Sequence, residues 1–91
     1  MEGTAGIMKI LEHDYKKLVG HRVRSLRHAA HLSQDELAER CGIYRTYLSR
    51  IEGGTANPTL LVLVALVTAL NVSLLDLVQE VDAVPPKPLD Q

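Results

Sequence analysis

Residues 33–54, SQDELAERCGIYRTYLSRIEGG, read as two short amphipathic helices joined by a tight turn. Ser33 caps the first, and Glu36 three residues on completes a capping box. Leu37, Ala38 and Cys41 then fall on one face of that helix, at spacings of three and four residues. Gly42 ends it, because glycine takes the left-handed backbone that a sharp turn requires at little cost. Ile43, Leu48 and Ile51 give the second helix its inward side, leaving Arg45, Thr46, Tyr47 and Arg50 facing outward.

The pattern extends in both directions. Asp14 is a candidate N-cap for a preceding helix over about 15–31, with Val19, Val23, Leu26 and Ala30 as its buried stripe. After polar turn residues 53–57, Pro58 opens a helix that runs over 59–70, and Asn71 is its left-handed C-terminal residue. Ser73 caps a last helix that fades near 79–80. The reading is an all-α domain over 14–80 with five helices. A flexible N-terminal extension over 1–13, with 7–12 capable of helix, precedes it, and a flexible Pro-rich tail over 81–91 follows.

Three segments, VGHRVRSLR (19–27), SQDELAERCGI with YLSRIEGG (33–54), and NPTLLVLVALVTALNVSLLDL (57–77), together resemble the Cro and lambda-repressor-type helix-turn-helix regulators. The resemblance implies a compact lambda-repressor-like domain with its helix-turn-helix at helices 2 and 3. It further implies a sequence-specific binder of double-stranded DNA whose helix 3 enters the major groove. The RTY triplet at 45–47 is also similar to the start of helix 3 in restriction–modification controller proteins. Three residues do not separate a controller from a phage-type repressor, an antitoxin or a metabolic regulator.

Charge supports the reading by its distribution. Ten basic and 11 acidic side chains give the 91-residue chain a net charge of −1. Between Lys16 and Arg50, however, eight Lys or Arg face three acidic residues, a balance of +5 that leaves −6 for the remainder. Such a bipolar chain presents one face to phosphate. Only three aromatics occur, all Tyr, too few for a platform that stacks single-stranded bases. The lone Cys41 makes no internal disulfide, and the N-terminus has no cleavable-signal pattern, so a reducing cytoplasm is expected.

Roles follow residue by residue. Arg45, Thr46 and Arg50 are candidate base contacts: Arg donates twice to guanine, and Thr offers a hydroxyl and a methyl. Gln34, at a helix start with free backbone N–H groups, is a phosphate contact, the use the family makes of it. Tyr44, Tyr47 and Arg22 are further phosphate candidates, with ring packing the alternative for both tyrosines. Arg27 and Glu52 occupy the positions at which the family pairs an arginine with a glutamate, which implies a structural ion pair.

Positions 58–75 carry no charge, yet LLVLVALVTAL spans only about 16 Å as a helix, roughly half a bilayer's hydrocarbon thickness. A core helix is expected, and no membrane association. Leu61, Val62, Ala65 and Leu75 are apolar where family members carry polar groups, which points to a homodimer interface or, alternatively, to a protein partner held as an antitoxin holds one. His21, His28 and His31 lie among arginines with no carboxylate or thiolate on their turn, so no metal is expected. Nor does any nucleophile–base pair or phosphate loop point to an enzyme or a cofactor.

Overall fold

The computed structural model describes residues 6–82. Helices account for the ordered secondary structure there: α1 (Ile7–Ala29), α2 (Gln34–Cys41), α3 (Arg45–Glu52), α4 (Leu60–Leu70) and α5 (Leu74–Asp82). No strand occurs among the described residues. Of the expected N-terminal extension, residues 1–5 lie outside the described residues, as do 83–91 of the expected tail.

Local chemistry sets the helix ends. At α2 the Ser33 Oγ accepts from the Glu36 N–H at 3.0 Å, and the Ser33 N–H donates back to Glu36 Oε1 at 2.8 Å. These bonds hold the Glu36 carboxyl below its ordinary pKa, the Ser33 backbone bond contributing most. Asp76 and Ser73 make the same reciprocal pair at the start of α5, at 2.9 and 3.0 Å. Gly42, at φ 74°, and Asn71, at φ 60°, close α2 and α4 in the left-handed region.

Several boundaries differ from the sequence reading. Asp14 is not an N-cap but an interior residue of α1, which begins at Ile7 after Gly6. Residues 7–13, IMKILEH, are mostly good helix formers, and one carboxylate does not interrupt such a run. Helix α1 stops at Ala29, because His31 turns left-handed at φ 59° and the Leu32 N–H bonds back to the Arg27 carbonyl. Ala30 is consequently exposed. Thr59, not Pro58, starts α4: its hydroxyl accepts from the Val62 N–H at 3.2 Å.

The core draws on every helix: Val23, Leu37, Ala38, Leu48, Ile51, Leu66, Val67, Leu70 and Leu77 are buried, with Ala56 of the α3–α4 loop. Helix α1 packs on α3 and α5, while α2 packs on α3 and α4. The approach of α1 to α3 is set by Gly20. A Cβ there would collide with the Ile51 carbonyl oxygen and lie 2.9 Å from that of Glu52. Backbone meets backbone at this crossing, which no periodicity in the sequence announces.

Gly20→Ala should therefore destabilise the domain by about 1–3 kcal/mol, although alanine is the better helix former. Thermal unfolding followed by circular dichroism checks this: each kilocalorie lowers the midpoint by about 4–8 °C in a domain of this size. Ser25→Ala, on the exposed side of the same helix, should change little.

Candidate nucleic-acid interface

Helix α3 divides its residues by face. Leu48 and Ile51 are buried against the core, and Tyr47, expected to face outward, is half-buried against it. Arg45, Thr46, Ser49 and Arg50 are exposed. At roughly 100° per residue these four fall within an arc of about 140°, a single continuous stripe. Ser49 was not singled out from the sequence, although its spacing of three from Thr46 and four from Arg45 was the available signal. Tyr44 precedes the helix with an extended backbone and is 83% exposed.

Behind the stripe lies a buried polar cluster. Arg27 of α1 donates from Nε to Glu52 Oε2 at 2.7 Å and from Nη2 to Glu52 Oε1 at 2.9 Å, while its Nη1 reaches the Leu32 carbonyl at 2.9 Å. Gln34, at the first turn of α2, donates from Nε2 to Glu52 Oε1 at 3.0 Å. One carboxylate at the end of α3 thus receives side chains from α1 and α2. The hydrogen bond to Glu52 raises the Arg27 pKa above its ordinary value, Coulombic attraction adding to it and burial opposing it. Every buried side-chain nitrogen and oxygen among the described residues has a hydrogen-bond partner.

Gln34 is partly buried, with one amide N–H given to Glu52 and the second free to donate elsewhere. Arg45 meets Asp35 of α2, Nε to Oδ1 at 3.4 Å, with both side chains largely exposed. Arg22 is tied to α5: its Nε and Nη2 donate to the Asp76 carbonyl at 3.3 and 3.0 Å, clipping α1 to that helix. Of the four apolar residues assigned to an interface, Leu61 and Leu75 are 78% and 66% exposed, whereas Val62 and Ala65 are half-buried. Leu60 and Val64 join the exposed set because α4 turns its 60/61/64 side outward, and Val78 of α5 is exposed as well.

Cys41 is half-buried, its thiol donating to the Ala65 carbonyl at 3.6 Å, and burial pushes its pKa up. Among the described residues no three His, Cys, Asp or Glu side chains gather to hold a metal, and no helix is long and apolar enough to cross a membrane.

Two short helices about a left-handed glycine, the second with its polar face outward, make a helix-turn-helix arrangement. Residues 18–81 match the family model described as a helix-turn-helix domain. The chain belongs to this family, in its Cro and lambda-repressor-type group of DNA-binding transcription regulators. It is 42% identical over 72 residues, 79% of its length and 94% of the relative's, to a helix-turn-helix-type transcriptional regulator of Sinorhizobium fredii. With the control protein C.SmaI of Serratia marcescens it shares 43% identity over 60 residues, 66% of this chain and 71% of that one. The solved restriction–modification controller protein C.AhdI of Aeromonas hydrophila superposes with a TM-score of 0.67 at 37% identity, covering 68% of this chain and 94% of its own.

Removing Glu52 strands a buried guanidinium and the Gln34 amide together. Glu52→Ala should cost about 3–5 kcal/mol. The measurement is thermal unfolding in parallel with duplex binding: a variant that keeps its melting point while losing DNA would move Glu52 from the scaffold to the recognition surface.

Proposed function

We propose that this protein is a dimeric transcriptional regulator that reads a pseudo-palindromic operator, inserting α3 of each protomer into successive major grooves. The observation that carries this reading is the stripe Arg45–Thr46–Ser49–Arg50, exposed on a helix whose opposite face is locked in the core. Arg45 suits a guanine edge through two parallel N–H donors, Thr46 a base edge or thymine methyl, and Arg50 a base or the backbone beside it. The free N–H of Gln34 and the exposed hydroxyl of Tyr44 flank the stripe and suit phosphate oxygens. Arg22 and Tyr47, held by α5 and the core, are left to packing.

Leu60, Leu61 and Val64 of α4 and Leu75 and Val78 of α5 are exposed on helices that pack together. Burying them against a second copy would join two recognition helices by a two-fold axis, as an operator with two half-sites requires. The relatives carry regulator and controller names, which supports a role in gene control. The same apolar residues support a second reading, a subunit that holds a different protein, and the oligomeric state separates the two.

Selection of bound duplexes from a random pool, followed by sequencing, tests the DNA reading. Arg45→Ala should weaken binding to the best site by about 1–3 kcal/mol per contact and relax preference at one base pair in each half-site. Gln34→Ala should weaken selected and random duplexes alike, preserving the order of sequences. Emergence of no motif would favour the partner-holding subunit.

Sedimentation at micromolar concentration should show a dimer. Leu75→Glu should give folded monomers with reduced operator affinity, since two half-sites are no longer engaged together. A wild-type monomer, or a Leu75→Glu dimer, would refute the assigned face.

A further inference from the structure

The ion pair between Asp35 and Arg45 is placed where a DNA-reading surface should least tolerate an acid. Asp35 is the second residue of α2, exposed, and its carboxylate lies 3.4 Å from the guanidinium of the first residue of α3. A negative charge there repels the phosphate backbone that the neighbouring Gln34 would approach. As a stabilising contact it is weak, because exposed pairs are screened by solvent and pay side-chain entropy. Its stabilising effect on α2 through the helix dipole could be supplied equally by Glu36, which already caps that turn.

What the pair does physically is restrain one side chain. An unrestrained arginine samples many rotamers and reaches any nearby phosphate, the interaction that carries no sequence information. With Nε turned to the Asp35 carboxylate as an ion pair at 3.4 Å, the Nη1 and Nη2 ends remain available to two acceptors on one base edge. At long range the carboxylate offsets the charge of the guanidinium, which lowers the attraction of this pair to random DNA. At close range, two directed hydrogen bonds to a guanine still form.

Resting on the DNA-reading function above, we infer that Asp35 is a positioning residue for sequence discrimination: it aims Arg45 at a base edge and withholds it from phosphate. Selectivity is its output, and raw affinity is reduced by it. Asp35→Asn keeps the shape and releases the guanidinium. Affinity for random duplex should rise, by up to about fivefold per protomer, the equivalent of about 1 kcal/mol. Affinity for the selected site should change less, so the ratio between them falls and preference flattens at the base pair that Arg45 reads.

The experiment combines random-pool selection with affinities on one selected and one scrambled duplex. The proteins are wild type, Asp35→Asn, Asp35→Glu, Glu39→Gln, Arg45→Ala and the Asp35→Asn/Arg45→Ala double variant, each checked by thermal unfolding. Glu39→Gln removes an exposed charge from the same helix without touching Arg45, so it should raise random affinity and leave base preference intact. Asp35→Glu should retain most of the wild-type preference. In the Arg45→Ala background Asp35→Asn should change preference no further, the signature of action through Arg45. A wild-type motif left unchanged by Asp35→Asn overturns this role alone; so does equal flattening by Glu39→Gln. If the wild type selects no motif, the DNA-reading function fails and this role falls with it.

Discussion

The carboxylate of Glu52 is the point on which the orientation of α3 and its exposed stripe depends. It terminates α3, receives Arg27 from α1 through two bonds, and accepts Gln34 from α2, so three helices meet at one buried acid. The Nη1 of Arg27 extends the cluster to the Leu32 carbonyl, in the link that leads into α2. Burying such a pair is expensive in desolvation, and apolar replacements of similar volume are often no less stable. What apolar packing lacks is direction. The planar fork of Arg27 fits Glu52 in one orientation, which fixes where α1 and α3 cross and hence where the outer face of α3 points.

Two backbone features complete that restraint. Gly20 lets α1 touch the carbonyls of Ile51 and Glu52 directly, so the ion pair works across a crossing that already admits no side chain. Gly42 sets the angle between α2 and α3 from the other side. The short helix α3 has no side-chain N-cap of its own. Its orientation comes from tertiary contacts at both ends, consistent with the marginal stability of eight-residue helices in isolation.

Sequence reading served well wherever the determinant is local. The capping box at Ser33, the left-handed Gly42 and Asn71, and the inward set Leu37, Leu48 and Ile51 are all consequences of residue type and helical spacing. What local pattern does not encode is a partner distant along the chain. Arg22 binds a carbonyl 54 residues away, which no motif encodes. Gln34 meets Glu52 across 18 residues. The start of α1 is hidden in the sequence because Asp14 looks like a cap wherever it falls. Val62 and Ala65 were counted with Leu61 because a uniformly apolar helix hides which side is covered; Leu60 and Val64 emerge only once α4 is docked.

The distribution of aromatic side chains gives this fold a built-in optical signal. The chain contains no tryptophan and three tyrosines, so tyrosine emission is not drained by transfer to an indole. Tyr44 stands exposed immediately before α3, and Tyr47 is half-buried within it. Two of the three intrinsic fluorophores therefore flank the exposed stripe of α3, and only Tyr15 on α1 reports from elsewhere. Anything that docks against α3 changes the solvation of those phenols directly, and unlabelled protein carries its own probe of the encounter.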